Sequence, residues 1–207
     1  MVEQMKDSGF PCEYVYSRLD TFLLTPFMVI AQKLFLRGKK YYGGYGEYSS
    51  TKRKAIRKYP LLSHIYQWLL LFDYSLQILI KVKLPLMRGR NLICDRYVYD
   101  TVITDLAVDF DYSQNRVKQV LRRLFRLFPR PQLTFLLDVP EEIAYSRKDD
   151  VPSMEYLRER RSTYLDIGRE LRMTILDGSK TQTEVQSEAK EEISRLALQR
   201  YPENGKN

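Results

Sequence analysis

An acidic, a basic and an aromatic residue directly follow one short apolar run near the middle of the chain. The run, Leu92–Cys94, is typical of a buried parallel strand, and Asp95, Arg96 and Tyr97 come after it. In open α/β sheets, ligands bind beyond the carboxyl ends of the strands. Arg96 offers a planar fork that suits phosphate oxygens, and Asp95 can orient a hydroxyl or a metal-bound water. The alternative is a strand-end salt bridge that caps the next helix.

Polar residues also follow three other predicted strands. Because the carboxyl ends of parallel strands lie at one edge of a sheet, these residues are candidates for ligand contacts as well. They are Arg18 after Cys12–Ser17, Asp138 at the end of Leu133–Asp138, and Asp177 with Ser179 after Met173–Leu176.

Amphipathic helical patterns alternate with these strands. Ser113 and Ser153 stand where N-cap residues are expected. The alternation predicts an α/β fold, a three-layer parallel sheet with helices on both faces and right-handed crossovers. The predicted helices are Thr25–Leu36, Pro60–Val82, Tyr99–Val108, Gln114–Phe128, Pro140–Lys148, Met154–Glu170 and Glu184–Leu198.

Length and composition limit the function classes. The 207 residues fit a single domain, predicted over residues 1–198 with a polar tail at 199–207, and the net charge of +8 favours anionic partners.

Cys12 and Cys94 are expected to be reduced core residues of a cytoplasmic protein. His64 is the only histidine, which leaves little for histidine zinc clusters or Ser-His-Asp triads. The apolar stretch Leu61–Met87 is interrupted by polar residues and predicts a long buried helix rather than a membrane span.

A basic segment rich in glycine and tyrosine, Arg37–Lys58, separates the first two predicted helices. Within it, Gly38–Gly43 has the spacing of a phosphate loop, but Gly44 and Tyr45 stand where Lys and Ser or Thr are required. We therefore expect a flexible basic loop. Its tyrosines and cations could also stack on and neutralise a nucleic acid.

The order of the polar blocks resembles that of the thymidylate kinase family of nucleoside monophosphate kinases. The resemblance extends from Cys12 to about Leu196, and it implies a P-loop kinase-like α/β fold. It rests on four blocks: Asp95–Tyr97, Leu136–Arg147, Arg161-x-x-Tyr164 and Ile175–Ser179.

The resemblance implies a role for each candidate residue. Asp95 and Arg96 would lie at the phosphoryl acceptor, with Arg96 binding the monophosphate and Arg18 and Tyr97 on the same substrate side. Arg147 would belong to a lid that closes over ATP, and Asp177–Ser179 would lie beside the adenine. ATP, Mg²⁺ and a nucleoside monophosphate are the implied ligands, and the chemistry needs mainly positioning and positive charge.

The chain departs from the family pattern in three ways. No G-x-x-x-x-G-K-[ST] loop is present, so the loop and the first, central strand of the family's sheet are expected to be missing. Family members carry a phosphate-binding arginine where this chain has Tyr74, so the resemblance makes Tyr74, like Asp105, a candidate substrate contact. A Tyr-Gln pair that contacts sugar and base in the family falls on Thr104 and Asp105, and a carboxylate accepts hydrogen bonds but cannot donate them.

Three hypotheses follow. The first is a nucleoside monophosphate kinase represented by a chain that is inactive alone, either the remainder of a longer protein or one whose start lies at an internal methionine. The second is a non-catalytic nucleotide-binding module that has lost the loop. The third is a nucleic-acid-binding protein that uses Lys52–Lys54 with Arg57 and Lys58. Under the first hypothesis nucleic-acid and membrane binding are not expected. The helix Leu61–Val82 could pair with a second copy in a homodimer or belong to the core.

Overall fold

The computed structural model describes residues 2–7, 10–19, 58–147 and 153–200. The chain divides into two compact units, which we call the first unit (Cys12–Arg130) and the second unit (Met1–Pro11 with Pro131–Asn207). The predicted helix Thr25–Leu36 lies outside the described residues. So does the basic segment, except for its last residue.

Helices dominate the described part of the chain, and all of its strands are short. The elements are α1 (Val2–Asp7), β1 (Cys12–Tyr16), α2 (Pro60–Ile78), the π-helical segment π1 (Leu79–Lys83), α3 (Leu84–Met87), β2 (Asn91–Asp95), α4 (Val98–Asp100), the π-helical segment π2 (Thr101–Leu106), α5 (Ala107–Phe110), α6 (Gln114–Leu124), β3 (Phe135–Asp138), α7 (Glu141–Ser146), α8 (Met154–Glu170), β4 (Thr174–Asp177) and α9 (Gln182–Arg200).

The described strands of the first unit form a parallel pair. β1 pairs with β2 in a register that sets Cys12 opposite Asn91 and Tyr16 opposite Asp95. The ladder continues one step further, because the Ser17 amide donates to the Asp95 carbonyl oxygen at 3.1 Å. The two strands therefore end together, and their polar terminal residues lie at one edge, as the sequence predicted.

Three helical stretches supply the core of the first unit. The apolar residues of α6 are buried. Tyr74 of α2 has no exposed surface and packs edge-to-face on Phe128, with ring centroids 5.9 Å apart. The buried members are Leu70, Asp73, Tyr74, Gln77 and Ile78 of α2, Thr101, Val102, Ile103 and Leu106 of π2, and Val117, Val120, Leu121 and Leu124 of α6.

The helix predicted from Pro60 to Val82 is not fully buried. One face of α2 lies in the core, but Trp68 and Phe72 on another face are 74% and 65% exposed. The chain also continues helically through π1 and α3 to Met87. Polar residues are too few on α2 to distinguish its two faces from the sequence, because both are largely apolar.

The helix predicted from Tyr99 to Val108 contains a π-helical segment that the sequence did not indicate. π2 takes up six of its residues between the short α4 and α5. A π turn accommodates one extra residue, so the side chains after it face a different direction from that of an uninterrupted α-helix. The hydrophobic pattern does not report this change.

Both predicted serine caps are confirmed. The Ser113 Oγ accepts from the Arg116 amide at 3.3 Å, and the Ser153 Oγ accepts from the Tyr156 amide at 3.1 Å. α6 ends at Leu124 rather than at Phe128, because the chain tightens there: the Leu124 carbonyl accepts from the amides of Leu127 and Phe128.

The second unit repeats the parallel arrangement. β3 pairs with β4, which sets Phe135 opposite Thr174 and Asp138 opposite Asp177. α8 approaches β3 closely, since a Cβ on Gly168 would lie 3.0 Å from a methyl carbon of Leu136. A helix-rich chain with short parallel strands agrees with the predicted α/β class.

Candidate functional site

A buried serine sets the backbone at the carboxyl end of β2. Ser17 donates its amide to the Asp95 carbonyl at 3.1 Å and its Oγ to the Arg96 carbonyl at 2.7 Å. Between these two held carbonyls, Arg96 has a φ of 63°, in the left-handed region that non-glycine residues rarely adopt. Strain of this kind persists only where the surroundings fix the backbone, and it is concentrated at functional positions.

Asp95 is exposed, and a tyrosine of the neighbouring strand holds its carboxylate. The Tyr14 hydroxyl donates to the Asp95 Oδ2 at 2.8 Å. This hydrogen bond raises the pKa of Tyr14, because only the protonated phenol can donate it to the carboxylate. The bond fixes the direction of the carboxylate. No sequence pattern pointed to Tyr14, because the contact depends on the register between the strands.

Arg96 carries the ion pair that the alternative interpretation expected. Its Nη1 lies 2.6 Å from the Oδ1 of Asp100, one turn into the following helical stretch. About half of the Arg96 side chain is exposed. The ion pair therefore orients the guanidinium at the strand end without removing it from solvent, and an exposed pair of this kind contributes little to stability.

A second guanidinium, that of Arg18, lies at the end of β1. Its Nη2 is 2.8 Å from the Oδ1 of Asp105, and its Nε is 3.4 Å from the Oδ2. Asp105 belongs to π2, so the π-helical segment contributes a carboxylate to the same edge of the sheet. The structure thus brings Arg18 and Asp105 together, although the sequence separates them by 87 positions.

Two of the predicted substrate residues are buried. The Tyr74 hydroxyl donates to the Ser17 carbonyl at 3.1 Å, and the Tyr97 hydroxyl donates to the Pro129 carbonyl at 2.8 Å. Burial raises the pKa of both phenols, so each remains a hydrogen-bond donor at neutral pH. In this structure Tyr74 supports the backbone beneath the strand end, and Tyr97 anchors the chain after α6.

The second unit has its own polar edge, at the carboxyl ends of β3 and β4. Asp177 accepts from the amide of Ser179 at 2.9 Å and from its hydroxyl at 2.5 Å. Both hydrogen bonds lower the pKa of Asp177, and the bond from the Ser179 hydroxyl has the larger effect. The exposed Arg147 donates from Nη1 to the Gly178 carbonyl at 3.2 Å, so the predicted Arg147, Asp177 and Ser179 do lie together.

Arg161 binds two carboxylates in the second unit. Its Nε and Nη2 contact the two oxygens of Asp138 at 2.6 and 2.9 Å, and its Nη1 contacts Glu141 at 2.9 Å. Arg158 binds the other oxygen of Glu141 at 3.0 Å. The sequence pointed to Arg161 only through its motif with Tyr164, and no role was predicted for it.

These contacts lower the pKa of both carboxyl groups. Arg161 holds the pKa of Asp138 below its usual range. The pKa of Glu141 falls to about 2, chiefly because the carboxylate accepts from its own backbone amide, and then because of Arg158 and Arg161. Both groups are therefore charged over the whole physiological range.

Two features are absent from the part of the chain that the structure describes. Among the described helices, none combines the length and the apolar run that a bilayer-spanning segment needs. The same part of the chain holds no group of three or more His, Cys, Asp or Glu side chains arranged to bind a metal ion.

Arginines and carboxylates at the carboxyl ends of parallel strands define a class of α/β proteins that bind phosphate-bearing ligands. The sequence matches the family model described as thymidylate kinase over residues 28–189, so this chain belongs to the thymidylate kinase family.

Curated relatives agree with that assignment. The chain is 33% identical over 129 residues to the probable thymidylate kinase of Metallosphaera sedula, a match that covers 55% of this chain and 61% of the relative. It is 28% identical over 106 residues to the probable thymidylate kinase 1 of Saccharolobus solfataricus, covering 47% and 51%, respectively. For the probable thymidylate kinase of Methanocaldococcus jannaschii the identity is 28% over 101 residues, covering 47% and 50%. The chain thus spans about half to three fifths of these relatives.

We predict that the backbone at Arg96 is strained. The free energy of unfolding of the Arg96→Gly variant should be about 1 kcal/mol higher than that of the Arg96→Ala variant, because only glycine adopts a φ of 63° without steric cost. Urea unfolding of the two variants measures the difference. The same pair of substitutions at Arg122, inside α6, should give the reverse order by about 1 kcal/mol. Equal stability of the two Arg96 variants would contradict the strain.

We also predict acid sensitivity of the second unit. The pKa of Glu141 is about 2 in the folded state and ordinarily 4.5, so the unfolded chain binds more protons between these values. The stabilisation is complete above that window and is lost as the pH falls through it. The free energy of unfolding, measured at a series of pH values, should therefore decline on acidification. Arg161→Gln should flatten this decline and Arg169→Gln should not, since Arg169 pairs only weakly with Asp166, at 3.8 Å. Identical profiles for the two variants would refute the assignment.

Proposed function

We propose that this chain is part of a nucleoside monophosphate kinase, which transfers the γ-phosphoryl group of ATP to a nucleoside monophosphate. Membership of the thymidylate kinase family supports the reaction class. The observation that carries the proposal is the strained, half-exposed Arg96 beside Asp95 at the carboxyl end of β2. That is the position at which an α/β sheet binds its ligand.

On the acceptor side, Arg96 and Arg18 bind the monophosphate. The Arg96 guanidinium now pairs with the carboxylate of Asp100, and the Arg18 guanidinium pairs with that of Asp105. A phosphate dianion carries more charge and more acceptor oxygens than a carboxylate, so it competes well for the same fork of N–H donors. The existing ion pairs keep the two guanidinium groups at the strand ends until the phosphate arrives.

Asp95 suits the metal that accompanies ATP. Mg²⁺ is typically bound by one or two protein carboxylates together with the nucleotide's phosphates and water. Asp95 is an exposed carboxylate whose Oδ2 is oriented by Tyr14. When bound, the metal would neutralise charge on the phosphates, while Asp95 itself supplies an oriented acceptor at the strand end.

We assign the ATP contacts to the second unit. Arg147, held at the Gly178 carbonyl, contacts the nucleotide, and Asp177–Ser179 lies beside the adenine. In the transfer itself, a phosphate oxygen of the monophosphate forms a bond to the γ-phosphorus as the bond from that phosphorus to the β,γ-bridging oxygen breaks. ADP leaves and a nucleoside diphosphate forms. The arginines stabilise the negative charge on the phosphoryl group in the transition state.

The chain alone is inactive in this proposal, because its sequence has no phosphate loop. The two described sheets support the proposed absence of the family's central strand. Among the described strands, β2 pairs only with β1 and β3 only with β4. Parallel sheets of two strands are rare, since parallel strands are normally central and covered on both faces.

The test is a kinase assay on two preparations. The first is the 207-residue chain, and the second is the chain joined to a strand followed by G-x-x-x-x-G-K-[ST] taken from a relative. We expect no ADP formation from the chain alone with ATP, Mg²⁺ and a panel of monophosphates, and turnover from the completed protein. Arg96→Met should lower kcat/KM of the completed protein by about 100-fold or more, whereas Arg122→Met should leave it unchanged.

The other outcomes discriminate among the hypotheses. Turnover by the chain alone would refute the need for the loop. Mononucleotide binding without turnover, even in the completed protein, would favour a non-catalytic module. Oligonucleotide binding that weakens steeply with salt, in place of mononucleotide binding, would favour a nucleic-acid-binding protein.

The panel of monophosphates also identifies the acceptor base. Asp105 can accept a hydrogen bond from a base N–H but cannot donate one, and Tyr74 is a buried phenol where the family carries arginine. We therefore expect dTMP to be a weaker substrate than at least one other monophosphate of the panel.

We further propose that the protein forms a homodimer through α2. The exposed side of this helix carries Leu61, Ile65, Trp68 and Phe72, which we call the α2 face. Their spacing of four, three and four residues is that of a helix-pairing seam. No Lys, Arg, Asp or Glu lies on α2 except the buried Asp73. An uncharged apolar surface on a protein of net charge +8 fits a second copy of itself better than an anionic partner.

Light scattering after gel filtration tests the homodimer. The unsubstituted protein should elute as a dimer, and Trp68→Lys or Phe72→Lys should give a monomer, because a buried lysine is costly at a helix seam. Leu127→Lys is the matched control, since Leu127 is 65% exposed, as Phe72 is, but lies after α6. Trp68 is the only tryptophan, so its fluorescence reports directly on the α2 face. A monomeric unsubstituted protein would refute the proposal.

A further inference from the structure

Arg161 joins the end of a strand to the start of a helix. Asp138 is the last residue of β3, and Glu141 is the first residue of α7. The guanidinium of Arg161 binds both oxygens of Asp138 and, through its third nitrogen, one oxygen of Glu141 at 2.9 Å. All three nitrogens of this side chain are therefore used across a single bend in the chain.

α7 depends on that contact for its position. It has only six residues, and its N-cap, Pro140, makes no side-chain capping bond. Helices this short are not stable on their own in water. The carboxyl group of Glu141 in the first turn, held by Arg161 and Arg158, is the strongest polar attachment of α7 to α8 in the described residues.

The far end of α7 leads directly to the predicted ATP residue. Arg147 is the C-cap of α7, and its Nη1 donates to the Gly178 carbonyl. Gly178 is itself fixed, because its amide donates to the Asp138 carbonyl at 2.8 Å. A Cβ on Gly178 would come within 2.5 Å of a Val139 methyl carbon. The contacts therefore close a ring that starts and ends at Asp138.

We infer that Arg161 is a positioning residue for Arg147: by clamping Asp138 to Glu141, it sets α7 so that the Arg147 guanidinium meets the Gly178 carbonyl beside Asp177–Ser179. This inference rests on the proposed function only in taking Arg147 as an ATP contact. Arg161 acts through α7 and needs no contact with the nucleotide. Lysine cannot replace it, because a single ammonium cannot supply a bidentate contact and a third hydrogen bond in one plane.

The first experiment is hydrogen exchange of the 207-residue chain, with Arg161→Gln and Arg161→Lys as variants. The informative amides are those of Ala144 and Arg147, which donate within α7 to Pro140 and Ile143. Both variants should speed their exchange about tenfold or more. Arg169→Gln, on the same helix, should leave it unchanged. Unaltered exchange in both Arg161 variants would overturn the inference.

Glu141→Gln provides the same test if the Arg161 variants fail to fold. It weakens the attachment of α7 but leaves the contact between Arg161 and Asp138 intact. The amides of α7 should again exchange faster, while those of β3 and β4 keep their protection. Equal effects on the strands and on α7 would indicate a general loss of stability and would refute a positioning role.

The second experiment separates this inference from the proposed function. In the protein completed with a phosphate loop, Arg161→Lys should raise the KM for ATP about tenfold or more and leave the KM for the monophosphate unchanged. Equal changes in both KM values would count against positioning. If the completed protein turns over no nucleotide at all, the proposed function fails, and the exchange experiment still decides the role of Arg161.

Discussion

Parallel pairing of strands is the constraint on which both candidate sites depend. Because β1 and β2 run in the same direction in register, Tyr16 and Asp95 end at the same level, and Ser17 reaches both carbonyls that flank Arg96. The second unit obeys the same rule, with Asp138 opposite Asp177. Beyond the last paired residues of a strand, the backbone groups have no partner on the neighbouring strand. Polar side chains and turns therefore occur at strand ends, where they can bind these groups or a ligand.

Charge compensation is the second theme. The guanidinium groups of Arg18, Arg96 and Arg161 each contact at least one carboxylate. The pairs differ in consequence. Arg96 remains about half exposed, so its carboxylate can be exchanged for a phosphate at small cost. Arg161 makes three hydrogen bonds to two carboxylates, and removing it would take from Asp138 its main partner and from Glu141 one of its two arginine partners. The first arrangement suits a ligand, whereas the second suits a structural clamp.

The sequence predicted local structure well where a local cause exists. Ser113 and Ser153 cap helices as expected, because a cap depends only on the residues of one turn. The strands at β2, β3 and β4 were found within one or two residues, since apolar runs with polar ends are local patterns. π2 was missed, because one extra residue in a helical turn leaves no signature in hydrophobic spacing. The exposed face of α2 was missed because both faces of that helix are apolar.

For the candidate site, the sequence by itself determined which residue types stand at strand ends, and hence the kind of ligand that they suit. The family resemblance drawn from those residues is confirmed by the match over residues 28–189. Tertiary structure alone decided the pairings: Arg18 with Asp105, Tyr14 with Asp95 and Arg161 with both Asp138 and Glu141. It also decided that Tyr74 and Tyr97 are buried. The physical reason is that residue type follows from the sequence, whereas a partner 20 to 90 positions away is chosen by strand register and helix packing.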